Sequence, residues 1–255
     1  MTAFDPARLG RAALEAMDAC GRAVAESEAA LAAHAGGILG AALHDEPVEA
    51  WRHYPEGDVF DPATHAQYFC HLHAPGERGA DEHGHFHTFL RAGGIPPDVR
   101  PLVMPELAIA GSPAAPAPLP SAPQAHEDDD HWCHLVAIAM NDAGRPIRLF
   151  TTNRWVTGET WYQAGDVAAM LDRFAVGETT SPRALDRWIT AMLGLYRPQI
   201  AALVEARDAT VMGWRRRRRG KVHVFEDRRL EVTSALEIDV AAQRDAIATA
   251  LRVLV

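Results

Sequence analysis

The spacing of hydrophobic and polar residues divides the chain into helical and extended segments. Asp5-Pro6, a pair that caps and starts helices, precedes an apolar stripe at helical spacing. It predicts an alanine-rich helix reaching about Ala35, ended by Gly36-Gly37, and a short helix near residues 38–43. The stripe consists of Leu9, Leu14, Met17, Cys20 and Val24.

Extended patterns predict strands at residues 64–73 and 83–90, an apolar strand at 134–140 with its return strand at 147–153, and an alternating strand at 230–238. The aromatic and acidic segment 51–61, W-R-H-Y-P-E-G-D-V-F-D, is broken by Pro55 and Gly57 and predicts a structured loop. Further helices are predicted at residues 165–175, at 182–193 with Ser181 as cap and Pro182 as first residue, after Pro198, and from Asp239 to near Val253.

These elements predict an α+β fold, a small antiparallel β-sheet with helices packed on one face and long N-terminal and C-terminal helices. We expect a single domain over residues 1–255. It would have a helical segment at 1–45, a histidine-rich sheet at 50–160 and a mainly helical segment with one strand at 161–255. Five prolines at 111–125 predict a disordered, polyproline-like excursion from the sheet.

Composition limits the functional classes. Lys+Arg is 25 against Asp+Glu 34, and this net charge of −9 disfavours general nucleic-acid binding. The run of five arginines from Arg215 to Arg219 would point in all directions around a helix, so we interpret it as mainly structural. Three widely spaced cysteines indicate free thiols in a reducing compartment, and neither a signal peptide nor a membrane span is apparent. We therefore expect a cytoplasmic location, with no membrane partner.

The main chemical feature is a group of histidines on two predicted strands. Successive side chains of a strand point to opposite faces, so histidines at odd positions share one face while the even positions are mostly apolar. Pairing of His73 near His83 would bring His71 near His85 and Phe69 near His87, with opposed Cβ atoms about 5 Å apart. The face would carry His71, His73, His83, His85 and His87.

Five imidazoles on one face predict a site for a divalent transition metal, because imidazole nitrogen binds Zn, Fe, Ni or Cu. Neighbours at i and i+2 lie about 7 Å apart, so one ion is not expected to collect all five. We expect this face to be open to a cleft, where a small-molecule ligand could reach it.

Other side chains are candidates to complete the site, although each is more typical of a structural role. His131 and His134 have opposite parity, so at most one of them would join without a bend in the strand, and Cys133 shares the parity of His131. Arg154, within Asn153-Arg154-Trp155, could instead anchor an anionic ligand. The remaining candidates near the histidines are His53, Glu56, Asp58, Asp61 and Glu82.

The segment 83–89, H-G-H-F-H-T-F, resembles the H-x-H-x-H pattern of histidine-triad nucleotide hydrolases and transferases. That resemblance implies His85 as the residue that attacks the α-phosphate, supported by His83 and His87, without a metal. The sequence departs from the family's pattern because Gly84 and Thr88 replace apolar positions and no Gly-Gln pair precedes the triad. The cupin pattern of H-x-H with a glutamate three or four residues later is not met.

A longer set of segments is similar to a bacterial family of unknown function. It comprises 51–61, Q-Y-F-C-H-L-H at 67–73, E-H-G-H-F-H-T-F-L-R at 82–91 and L-F-T-T-N-R-W-V-T-G-E-T-W at 149–161. This resemblance implies no activity.

Three functions stay open from the sequence: a metalloenzyme with an oxidative or hydrolytic reaction, a non-catalytic binding protein, and a metal-free nucleotide hydrolase. The sequence does not choose among the metals and does not indicate an oligomeric state.

Overall fold

Six strands of the described chain form one antiparallel sheet whose spatial order follows the order of the sequence. The computed structural model describes residues 4–34, 36–43, 46–74, 81–102, 131–177, 179, 181–218 and 222–254. The strands are β1 (Tyr54–Phe60), β2 (Ala66–Leu72), β3 (Gly84–Arg91), β4 (Trp132–Met140), β5 (Pro146–Thr152) and β6 (Val232–Glu237). The proline-rich excursion predicted at 111–125 lies outside the described residues.

The prediction of a loop at 51–61 is wrong, because this segment contains β1. β1 lies at the edge of the sheet and pairs with β2 alone, so Pro55 and Gly57 interrupt no second ladder. The register shifts between Tyr54 and Val59, the stretch in which both residues lie. Pro55 and Gly57, which are typical of turns, are the reason that β1 is not predicted as a strand from the sequence.

The N-terminal helix begins later than the sequence predicts. Asp5 caps a short 3-10 helix, Pro6–Arg8, and α1 (Arg11–Leu31) follows after Gly10. α2 (Gly37–Leu43) matches the predicted short helix within a residue. The apolar stripe of α1 is buried at Leu14, Met17 and Val24, which is the reason this alanine-rich segment is fixed on the domain.

Five further α-helices follow β5 in the described chain. They are α3 (Arg154–Thr157), α4 (Ala164–Met170), α5 (Arg183–Leu195), α6 (Arg197–Arg217) and α7 (Val240–Val253). Ser181 was predicted as the cap of α5, but Pro182 occupies the N-cap position. A 3-10 turn, Leu171–Arg173, continues α4 over part of the predicted 165–175 helix. Asp239 caps α7 as predicted, accepting a hydrogen bond from the backbone of Ala242 at 2.9 Å.

The helices pack against one face of the sheet, which we call the helix face. There Tyr68, Cys70 and Phe86 lie in one buried cluster with Trp188 of α5 and Leu203 of α6. The Trp188 ring is fully buried, 5.7 Å from the ring of Phe86. Loss of such a side chain typically costs about 3–5 kcal/mol, so α5 is firmly held on the sheet. This arrangement confirms the predicted α+β class with helices on one face.

The end of α6 carries part of the arginine run. The guanidinium groups of Arg217 and Arg218 lie 5.9 and 5.2 Å from the ring centre of Trp214. The Trp214 indole N–H donates to Asp227 at 2.9 Å, which fixes the ring against the body of the protein. These contacts agree with a structural role for this end of the run, and the absence of nucleic-acid binding stays a prediction. Among the described helices, none is long and apolar enough to span a membrane.

Candidate metal centre

Histidines of β2 and β3 line the face of the sheet opposite to the helix face, which we call the histidine face. His71 pairs with His85 and Phe69 pairs with His87 across the hairpin, the register that the sequence predicts. His73, directly after β2, donates its backbone N–H to the carbonyl of His83 at 3.1 Å. The alternation of side chains along both strands is therefore what gathers the imidazoles.

The expectation that this face is open to a cleft is wrong, because the imidazoles are buried. His71 and His87 are 0% exposed and His85 is 2% exposed. The Trp51 ring lies 5.3 Å from the ring of His71, and the His53 ring stacks on Phe69 at 3.6 Å. The chain preceding β1 thus lies on the histidine face, and charges within the site are only weakly screened by water.

The first cluster consists of His71, His85 and His87. One ring nitrogen of each lies within 4.8 Å of a ring nitrogen of both others. The Nε2 atoms of His85 and His87 are 2.9 Å apart, and the rings of His71 and His85 have centres 4.3 Å apart. Nitrogens bound at 2.0–2.1 Å to one tetrahedral ion lie about 3.3 Å from each other. Small side-chain adjustments would therefore bring the three nitrogens around one ion.

The second cluster consists of His73, Glu82 and His85. Nδ1 of His85 lies 3.1 Å from Nε2 of His73 and 2.9 Å from Oε1 of Glu82. The third side of this triangle, from Nε2 of His73 to Oε1 of Glu82, is 3.5 Å. The cluster thus offers two nitrogens and one carboxylate oxygen, and it shares His85 with the first cluster.

Glu82 is ionised in this environment. Burial raises the pKa of its carboxyl, but hydrogen bonds from His73 and His85 and the charge of Arg148 outweigh burial and hold the pKa well below its usual range. Its Oε2 atom is paired with Arg148, whose guanidinium also lies 5.1 Å from the ring centre of Phe150. Arg148 therefore orients the carboxylate and leaves Oε1 directed at the two histidines.

His134 joins the histidine face through a β-bulge in β4. Thr88 pairs with Val136 while Phe89 pairs with His134, so Leu135 is an extra residue without its own partner on β3. Nε2 of His134 lies 3.0 Å from Nδ1 of His87. Without the bulge the side chain of His134 would point to the helix face, and the extra residue turns it to the histidine face.

Burial keeps the imidazoles of His87 and His134 neutral. Desolvation, followed by the neighbouring His85, His134 and His71, holds the pKa of His87 well below its usual range. Desolvation, with smaller effects of Arg207 and His85, lowers the pKa of His134 to about 3. Neutral imidazole is the form that binds metals, so a ring held neutral by burial does not have to lose a proton before an ion binds.

The contacts from Glu82 to Thr152 define a continuous hydrogen-bonded chain of side chains. Without an ion, Nδ1–H of His85 donates to Glu82, Nε2–H of His87 donates to His85, and Nε2–H of His134 donates to Nδ1 of His87. The Thr152 hydroxyl, 3.5 Å from Nδ1 of His134, stands at the far end. An ion bound to Nε2 of His87 would reverse the last two steps, because His87 would then carry its proton on Nδ1 and His134 on its own Nδ1.

Other candidates from the sequence lie elsewhere. His83 is exposed and belongs to neither cluster. Asp58 accepts hydrogen bonds from His53 and Gln67 at 2.9 and 2.8 Å, and exposed Glu56 pairs with Arg52 at 3.2 Å. Asp61 accepts backbone hydrogen bonds from three residues, which fix the turn before β2, and Cys133 lies in the cluster on the helix face. The half-buried His131 accepts a backbone bond from Ala92 and is in neither cluster.

Arg154 forms an ion pair with Glu226, and its guanidinium donates to the carbonyl of Glu159 at 3.1 Å. The Asn153 amide donates to the carbonyl of Val224 at 2.8 Å, and the Trp155 indole donates to the carbonyl of Leu230 at 2.7 Å. This segment thus ties β5 to the chain before β6. These contacts assign it a structural role.

Sequence reasoning overlooked Arg148, and it ranked Glu82 as mainly structural. Arg148 pairs with Ala139 across β4 and β5, and Ala139 pairs with His85. The arginine therefore shares the histidine face, and the alternation of β5 was a signal for it. For Glu82 there was no such signal, because it lies in the connection before β3, where periodicity does not apply.

The fold and the site together define an α+β protein with a buried histidine face. Residues 18–238 match the model of a family described as a domain of unknown function, DUF6969. The chain belongs to this family, and the match includes every strand of the sheet. No curated protein and no solved structure is significantly similar to the chain.

Proposed function

We propose that this protein binds one transition-metal ion through ring nitrogens of His71, His85 and His87. The observation that carries the proposal is the convergence of three buried imidazoles whose ring nitrogens lie within 4.8 Å of one another. Burial keeps the imidazole of His87 neutral, which is the form that binds a metal, so no proton has to leave this ring before an ion binds. Three imidazoles suit Zn, Cu, Fe or Ni.

Contacts around the cluster support the same function. Nε2 of His134 is placed to accept a hydrogen bond from Nδ1–H of His87, which leaves Nε2 of His87 for the ion. Hydrogen bonds of this type raise the basicity of a ligand and fix the orientation of its ring. Three protein ligands would leave one position of a tetrahedral ion for a small ligand such as water, whose oxygen the ion would polarise, and this is the basis for a metalloenzyme.

The nucleotide-hydrolase alternative receives no such support. An attacking histidine must present a free nitrogen to a phosphate, whereas His85 is 2% exposed and both of its ring nitrogens contact other side chains. The alternative predicts hydrolysis of a nucleotide phosphoramidate that survives chelation.

The test is elemental analysis of protein purified without a His-tag and dialysed against Zn²⁺. The wild type should retain an ion, and its Tm should fall when a chelator is added, because the ion binds the folded state alone. His85→Ala, which removes the histidine shared by both clusters, should lose both effects. His83→Ala, which removes an exposed histidine from the same hairpin, should keep them.

Folding of His85→Ala is checked by circular dichroism in chelator, so that loss of metal is not confused with unfolding. Uptake of less than about a tenth of an equivalent of Zn²⁺, Cu²⁺, Ni²⁺ or Fe²⁺ by the wild type, with no change of Tm on chelation, would refute metal binding. Phosphoramidate hydrolysis that persists in chelator would favour the nucleotide chemistry.

A further inference from the structure

The ring of His85 belongs to both clusters, and it does so through opposite nitrogens. Its Nε2 atom faces His87 at 2.9 Å, while its Nδ1 atom faces Glu82 at 2.9 Å and His73 at 3.1 Å. One imidazole therefore stands between two sets of metal-binding atoms.

We propose that the site holds two transition-metal ions bridged by the imidazolate of His85. This inference rests on the proposed function, since it adds an ion in the second cluster to the one in the first. The second ion would bind Nε2 of His73, Nδ1 of His85 and Oε1 of Glu82.

The geometry of the second cluster supports an ion. Its three donor atoms are separated by 2.9, 3.1 and 3.5 Å. Ligands at 2.0–2.1 Å from one ion lie about 2.9 Å apart in an octahedron and about 3.3 Å apart in a tetrahedron. The three observed separations are close to these values, so the donor atoms of the second cluster could all bind one ion.

The chemistry of the donors is also suitable. Nδ1 of His73 makes no hydrogen bond within the described part of the chain, so it can carry the ring proton while Nε2 binds the ion. The pairing of Glu82 with Arg148 through Oε2 holds Oε1 towards the cluster. Two nitrogens and one carboxylate form a donor set typical of catalytic Zn and non-haem Fe.

A bridge through His85 would let this one ring bind both ions, because each of its two nitrogens faces a different cluster. When both nitrogens bind ions, the ring carries no N–H proton, and that proton passes to the solvent. The bridge would hold the ions about 6 Å apart, since each bond is about 2 Å long. The negative imidazolate and the carboxylate of Glu82 offset part of the charge of the two buried ions.

The first experiment measures stoichiometry by native mass spectrometry after dialysis against Zn²⁺. The wild type should bind two ions, Glu82→Gln should bind one, and Asp81→Asn, a matched change at the exposed neighbouring carboxylate, should bind two. A wild type that binds one ion, kept in Glu82→Gln and lost in His87→Ala, overturns the second site and leaves the proposed function standing. A wild type that binds none overturns both.

The second experiment tests the bridge in the protein loaded with two equivalents of Cu²⁺. An imidazolate bridge couples the two spins, so the electron paramagnetic resonance signal per copper should fall on cooling well below that of two isolated ions. His73→Ala, which removes a ligand of the second ion alone, should restore the full signal of a single Cu²⁺. Two bound ions with uncoupled spectra in the wild type would overturn the bridge.

Discussion

The buried His134 should make the stability of the metal-free protein depend on pH in a defined way. Its pKa is lowered from 6.5 to about 3, chiefly by burial. The unfolded chain takes up this proton below pH 6.5 while the folded protein does not, so this contribution to stability is complete above pH 6.5 and is lost as the pH falls. Between pH 6.0 and 4.5 the loss is about 2 kcal/mol, at about 1.4 kcal/mol per pH unit near pH 5.

His134→Phe removes this titration and keeps an aromatic ring 5.2 Å from the ring of Phe89. The free energy of unfolding, measured by urea titration in chelator at several pH values, should therefore depend less steeply on pH in the variant, by about one proton. His134→Phe also leaves Nδ1 of His87 without its hydrogen-bond partner, but this free-energy cost is the same at every pH and does not change the pH dependence. His83→Gln, which removes a histidine at an exposed position, serves as the matched control. Equal slopes for His134→Phe and the wild type would refute the argument that the buried imidazole is held neutral.

Three further predictions concern the surroundings of the site. Burial raises the pKa of Glu159 from 4.5 to about 7, so the contribution of its protonated form to stability is complete below pH 4.5 and is lost as the pH rises through 7. In the wild type this lowers the free energy of unfolding by about 3 kcal/mol between pH 4.5 and 8, and Glu159→Gln should abolish that decrease in urea unfolding. An unchanged decrease in the variant would contradict this. Gly84→Ala should destabilise the protein by about 1–3 kcal/mol and lower metal retention, because its Cβ would lie 2.5 Å from the carbonyl oxygen of His71. Gly165→Ala, whose Cβ would have no neighbour within 4 Å, serves as control, and equal melting temperatures of the two variants would show that the hairpin tolerates the methyl group. In ¹⁵N NMR spectra His134 should remain neutral but move its proton from Nε2 to Nδ1 when Zn²⁺ binds, and a tautomer unaffected by Zn²⁺ would argue against an ion on Nε2 of His87.

The histidine face could be predicted because its signal is local and regular. The backbone of a strand directs successive side chains to opposite faces. Because Phe69 pairs with His87 in this hairpin, His71, His85 and His87 therefore share one face. The helix face could be predicted for the same reason, since Tyr68, Cys70 and Phe86 occupy the other parity. Amphipathic periodicity similarly identified α1 and α6, whereas cap residues identified α5 and α7.

The features that could not be predicted from the sequence are those that depart from the regular alternation of a strand or depend on contacts between distant segments. The bulge at Leu135 reverses the parity of His134 relative to the rest of β4, and a bulge has no reliable signal in a single sequence. β1 escaped detection because its position at the sheet edge tolerates Pro55 and Gly57. Burial of the site was not predictable either, since the position of Trp51 over the histidines is a contact between separate segments.

The sequential order of the strands has a consequence for synthesis on the ribosome. The buried histidines from His71 to His87 belong to one hairpin, and closing its short loop costs little entropy, so the two strands can pair soon after they have emerged. The apolar side of that hairpin has to wait for Trp188 and Leu203, which are translated about a hundred residues later. The two faces of the hairpin are therefore completed at different times during synthesis. The imidazoles can come together early, while the apolar face stays without its helical partners until α5 and α6 have been translated.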